Sequence, residues 1–169
     1  MTWKSQLDIH RPYWDGYREI LGRLPETCFP DTAQLNQLLP PGTANHRGQP
    51  IEFVGSDSVS DRAYEKHIYE TGEVSTRGDN WHDLFNALVW CRWPRTKAAM
   101  NALHYQNLHL ERDGRRGELR DALTLLDESG AILLSSDDDL LGCLLYTSPS
   151  PRDGETHLVC RLLLEQMGG

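Results

Sequence analysis

An α+β fold, mainly helical with a β-hairpin and one additional short strand, follows from three features of the sequence. Apolar side chains recur at helical spacing through residues 12–24, 61–71 and 81–111. Residues 50–54, PIEFV, alternate as a half-buried strand does. Residues 122–126 and 131–135 read as two extended runs joined through Asp127, Glu128, Ser129 and Gly130, with Gly130 taking the positive φ of a short turn.

Taken in order, the first helix is expected over 12–24, with Tyr13, Tyr17, Ile20 and Leu21 on one side. Pro25 and Pro30 bracket a linker around Cys28, and Asp31 can cap a short second helix carrying Leu35, Leu38 and Leu39. Residues 42–49 form a loop before the 50–54 strand. A third helix covers 61–71, and Gly72 suits the left-handed position just past its end. Residues 73–78 are an extended connector.

Asn80 then supplies an N-cap for a fourth helix, with Asp83 at its third position. Trp81, Leu84, Phe85, Leu88 and Val89 follow as a core-facing stripe. Pro94 is well placed to open the next helix, because a first turn does not need its amide. That helix, 95–111, carries Ala99, Ala102, Leu103 and Leu110 on one side and a mostly polar stripe of Lys97, Asn101, His104 and Leu108 on another. Residues 113–117 are a loop, and Asp139 would begin a last helix.

Composition narrows the class of protein. The 169 residues are enough for one domain with a core, and a hydrophobic share of 38% with mean hydropathy −0.56 describes a soluble chain. A formal charge of −8 argues against nucleic acid as partner. No apolar run reaches the roughly 18 residues of a membrane span. The charged N-terminus lacks a signal-peptide core, so a cytoplasmic location is expected.

Residues 143–153, CLLYTSPSPRD, resemble a translated sequencing-library adapter, and 157–165, HLVCRLLLE, resemble its other end. Residues 143–169 are therefore read as adapter-derived, and 1–142 as a single native domain, incomplete at its C-terminus. Cys28 and Cys91 are then the native cysteines, too few and too widely spaced for a disulfide framework or a zinc pattern.

The words YEKHIYETGEVSTRGDNWHDLFNALVWCRWPRTKAAMNALH at 64–104 and RRGELRDALTLLDESGAIL at 115–133 resemble an uncharacterised bacterial family, domain of unknown function number three thousand and twenty-five. The similarity spans most of 50–142. It implies kinship with longer proteins that continue past this point, and it carries no activity, cofactor or catalytic residue.

Two functions remain open on the residues themselves. A metal-dependent hydrolase would use His82, Asp83, His104 and Asp121 around a divalent metal, since imidazole and carboxylate together suit zinc, iron or manganese and a bound ion activates water. A non-enzymatic binding protein would present the tryptophan-rich corner of Trp81, Trp90 and Trp93 to a partner or ligand. The same residues also have a purely structural reading. Asp83 suits a first helical turn, His82 can bond a carbonyl, Asp121 can pair with Arg77, and Arg95 with Lys97 can be a solvated face as readily as a phosphate site.

Overall fold

The computed structural model describes residues 2–56, 61–108 and 117–130, and the chain divides into two compact units, Met1–Arg115 and Arg116–Gly169, each described by itself. In the first unit, two 3₁₀ turns, Lys4–Gln6 and Pro12–Trp14, precede α1 (Arg18–Gly22), α2 (Thr32–Asn36), β1 (Glu52–Gly55), α3 (Asp61–Thr71), β2 (Glu73–Thr76), α4 (Trp81–Arg92) and α5 (Pro94–Gln106). The second unit contributes α6 (Glu118–Ser129). The fold is α+β and mainly helical. No helix among the described residues is long and apolar enough to cross a membrane.

The centre of the first unit is a β1–α3–β2 crossover. Its strands are parallel, with Glu52 opposite Glu73 and Phe53 opposite Val74. The sequence suggests a strand at 50–54 and only a connector at 73–78. The connector instead becomes β2, because Val74 is wholly buried and Thr76 nearly so, while Glu73 and Ser75 alternate between them. The Asn36 side chain clasps the outer edge of β1, accepting from Phe53 N at 2.7 Å and donating to Phe53 O at 2.9 Å. Such a clasp satisfies an edge that would otherwise invite another strand.

Local signals set the helix ends. Asp31 and Gln34 complete a capping box at α2. Asn80 accepts from Asp83 N at α4, and Pro94 is the first residue of α5. Gly72 sits at φ +85°, where its amide bonds Ile68 O and its carbonyl accepts from Glu52 N.

Further expectations change in the structure. Residues 12–24 do not form one helix: a 3₁₀ turn and the five-residue α1 replace it. Gly16 interrupts the segment and lies against Arg92, to whose Nε an added Cβ would come within 3.3 Å. Aromatic rings and a glycine lower helix propensity there, and packing on α4 takes precedence.

The first arm of the expected hairpin, 122–126, is instead part of α6. Ala, Leu, Glu and Arg are strong helix formers, and Leu119, Leu123 and Leu126 fit a period of 3.6 as well as a strand. Gly130 adopts φ −70° rather than a positive value and donates to Leu126 O. The second arm, 131–135, and the last helix from Asp139 lie outside the described residues.

The buried face of α4 is also rotated from expectation. Leu84 and Leu88 are in the core with Ala87, Trp90 and Cys91, whereas Trp81 and Val89 are half-buried and Phe85 is 39% exposed. Phe53, Ile68, Val74, Leu21 and Leu35 complete the core around them. Burial pushes the Cys91 thiol up to about 12, with Arg23 opposing weakly, so this cysteine is an inert apolar side chain.

Candidate functional site

Asp83, the carboxylate of the candidate pair, is committed to the backbone and to Arg77. Its Oδ2 accepts from Arg77 N at 2.8 Å and from Arg77 Nε at 2.9 Å, while Oδ1 accepts from Arg77 Nη2 at 2.9 Å. Arg77 thus forms a bidentate fork to Asp83, six residues away. Burial acts to raise the Asp83 carboxyl. The Arg77 hydrogen bonds and the charges of Arg77 and His82 outweigh it and hold the carboxyl below its ordinary value of 3.8.

A carboxyl whose folded value is depressed stabilises the fold above the unfolded value, and that contribution fades as pH falls through the folded one. Asp83→Asn should therefore cost about 1–2 kcal/mol at pH 7, the lower end reflecting the exposed Arg77. The difference from wild type should shrink in urea unfolding below pH 4. A deficit unchanged at pH 3 would mean that the charge contributes nothing.

Of the other three candidates, His82 and His104 belong to the first unit and Asp121 to the second. His82 is exposed in the first turn of α4, close enough for its charge to act on Asp83. His104 is buried near the end of α5. Asp121 is exposed in the first turn of α6, where a helix dipole favours an acid. Among the described residues, no group of three or more His, Cys, Asp or Glu side chains is placed to hold a metal ion.

A polar seam joins α3 and α5 through Asn101 and Glu65. The polar stripe of α5 turns inward: Lys97, Asn101 and His104 are all buried, while Ala99 and Leu103 of the expected apolar side are exposed. Asn101 Nδ2 donates to Glu65 O at 2.8 Å and to Glu65 Oε2 at 2.7 Å. Asn86 donates to the Tyr64 hydroxyl at 3.0 Å, and Tyr69 stacks on Tyr105 at 4.0 Å. Lys97 Nζ lies 5.9 Å from the Trp90 ring centre.

Trp90 Nε1 and Asn101 Oδ1 are buried without a hydrogen-bond partner among the described residues, at a cost that the rest of the seam must offset. The i, i+4, i+7 spacing of Lys97, Asn101 and His104 is visible in the sequence. Their burial is not, and for Asn101 it depends on Glu65 of another helix.

Aromatic residues divide into a covered and an uncovered set. Trp81 is walled in by Trp3 at 6.0 Å and Phe29 at 5.4 Å, with Trp14 against Phe85 at 6.0 Å. Among the described residues no aromatic ring covers Trp93 in this way. It caps the junction of α4 and α5, is 44% exposed, and carries the Arg92 guanidinium 4.6 Å over its ring. A cleft of about 270 Å³ also opens between Arg23, Pro25 and Gln37, but Arg23 there is tied to the Gln37 carbonyl at 2.8 Å.

The class of protein so defined is a mainly helical α+β domain in which a β1–α3–β2 crossover supports a helical corner. Residues 51–148 match the family model described as Protein of unknown function (DUF3025), more than half of the chain, which therefore belongs to that family. No curated protein and no solved structure matches it.

Proposed function

We propose that the chain is a non-enzymatic binding protein that presents the corner between α4 and α5 to a protein partner. The observation that carries this reading is Trp93, a tryptophan left 44% exposed and stacked by an arginine. Tryptophan and arginine are the residues over-represented among the few that dominate binding at protein interfaces. The hydrolase reading draws less support, because Asp83 is spent on Arg77 and His104 is buried near the end of α5.

A photocrosslinking residue introduced at exposed Thr96, beside the corner, tests the reading in cells. It should give a discrete adduct that Trp93→Ala abolishes, whereas the same residue at exposed Glu52 should give none. Equal adducts at both sites, or none at Thr96, would overturn it. So would stoichiometric metal in the wild type that His82→Ala removes.

A further inference from the structure

We infer that the corner takes an acidic segment of a partner protein, one that carries carboxylates beside apolar anchors; this rests on the reading of the corner as a docking surface. The chain is acidic overall, with a net charge of −8. Several of its cations are paired locally: Lys4 with Glu26, Arg11 with Asp8, Arg18 with Asp15 and Arg77 with Asp83. Arg92 and Arg95 are both exposed, and among the described residues neither makes a salt bridge or a hydrogen bond. They flank the one exposed tryptophan of the described residues, and the first turn of α5 holds no acid to neutralise them.

Two unpaired guanidinium groups in a chain with surplus carboxylates form a local positive site, and the planar fork matches a carboxylate with two parallel hydrogen bonds. The same side of α4 extends the site. His82, Phe85, Val89 and Arg92 fall at i, i+3, i+7 and i+10, a stripe of about 15 Å at 1.5 Å per residue. Phe85 packs on Trp14 along one side yet is still 39% exposed, so that part of its ring offers apolar contact on a line that ends in positive charge. Nucleic acid fits this surface less well. Its charge, one for each roughly 1.7 Å of duplex, would be repelled by the remaining acidic surface, whereas a short acidic peptide places a few carboxylates on the two arginines alone.

The probe is a fluorescently labelled twelve-residue peptide of alternating Glu and Leu, titrated with the full chain at low salt and followed by anisotropy. Its Gln-for-Glu counterpart and a single-stranded oligonucleotide of twelve nucleotides serve as comparisons. The acidic peptide should bind at least about tenfold more tightly than either, and the double variant Arg92→Gln, Arg95→Gln should lose about tenfold, consistent with two charge-assisted contacts. Neither arginine makes a salt bridge or hydrogen bond among the described residues, and glutamine gives up only the stacking of Arg92 on exposed Trp93, so melting of the double variant should stay within a few degrees of wild type and separate lost binding from lost fold. Equal binding of the Gln peptide, tighter binding of the oligonucleotide, or an unaffected double variant would overturn the inference. If the Thr96 adduct persists in that event, the corner still docks a partner and only its acidic chemistry is wrong; if the adduct is absent too, the docking surface itself is wrong.

Discussion

Gly72→Ala should lower the unfolding free energy by about 3 kcal/mol and the melting temperature by roughly 10 °C. At φ +85° an L side chain is strained whatever room it has, a cost of about 1–2 kcal/mol. Here there is no room either. A Cβ on Gly72 would run into the Pro50 carbonyl oxygen, with Gln49 Cβ at 3.2 Å behind it. The backbone cannot simply rotate away, because Gly72 N closes the end of α3 on Ile68 O, while Gly72 O accepts from Glu52 N where the two strands meet. Relief of the collision therefore opens either the helix end or the β1–β2 junction. Gly78→Ala is the control: it has no positive φ and nothing within 4 Å of its added Cβ, so its stability should stay within about 0.5 kcal/mol of wild type. If Gly72→Ala melts like Gly78→Ala, the turn is more compliant than its contacts imply.

Gly72 is legible in the sequence because its constraint is local: a glycine directly after an amphipathic run. Asn80, Asp31 and Pro94 are legible for the same reason, each acting within four residues of itself. What fails is whatever depends on a distant neighbour. The 122–126 segment has a pattern compatible with either period, and α6 follows the helix propensity of its Ala, Leu and Glu residues rather than the turn-like residues after it.

On α5 the polar stripe packs inward because α3 brings Glu65 against Asn101, a contact between residues 36 positions apart. On α4, burial shifts toward Asp83 and Trp90 because the N-terminal aromatics and Arg77 occupy sides that a helical wheel leaves undefined. The candidate site follows the same rule. The tryptophan-rich corner can be named from the residues alone, but which tryptophans are covered is fixed by Trp3 and Phe29, more than 50 positions upstream of Trp81.

Asn45 is the strongest case of such a distant dependence, and Asn45→Ala should cost about 3 kcal/mol. The sequence shows only a polar residue in a loop. In the structure Asn45 is buried and all four of its side-chain hydrogen-bonding positions are used. Its Nδ2 donates to Ile68 O at 2.8 Å and Tyr69 O at 2.9 Å, and its Oδ1 accepts from Arg47 N at 2.9 Å and Gln49 N at 3.0 Å. One side chain thus closes the 45–49 turn, satisfies Tyr69 O in the last turn of α3, where a helix end leaves carbonyls without intrahelical partners, and adds a second bond to Ile68 O beside that from Gly72 N. Alanine removes all four bonds and leaves Tyr69 O and the amides of Arg47 and Gln49 without them, while Ile68 O keeps only Gly72 N.

Asn45→Asp separates the two halves of this role. It keeps the acceptor for Arg47 N and Gln49 N but points a carboxylate oxygen at the two carbonyls. Burial and that repulsion should raise the aspartate above its ordinary value, so its neutral form is favoured in the fold and stability should fall as pH rises through the unfolded value near 4. Urea unfolding should find Asn45→Asp at least as unstable as Asn45→Ala at pH 7 and closer to wild type at pH 3, compared with the wild type at the same pH. An aspartate variant as stable as wild type at pH 7 would show that the turn, rather than the end of α3, is what Asn45 supports.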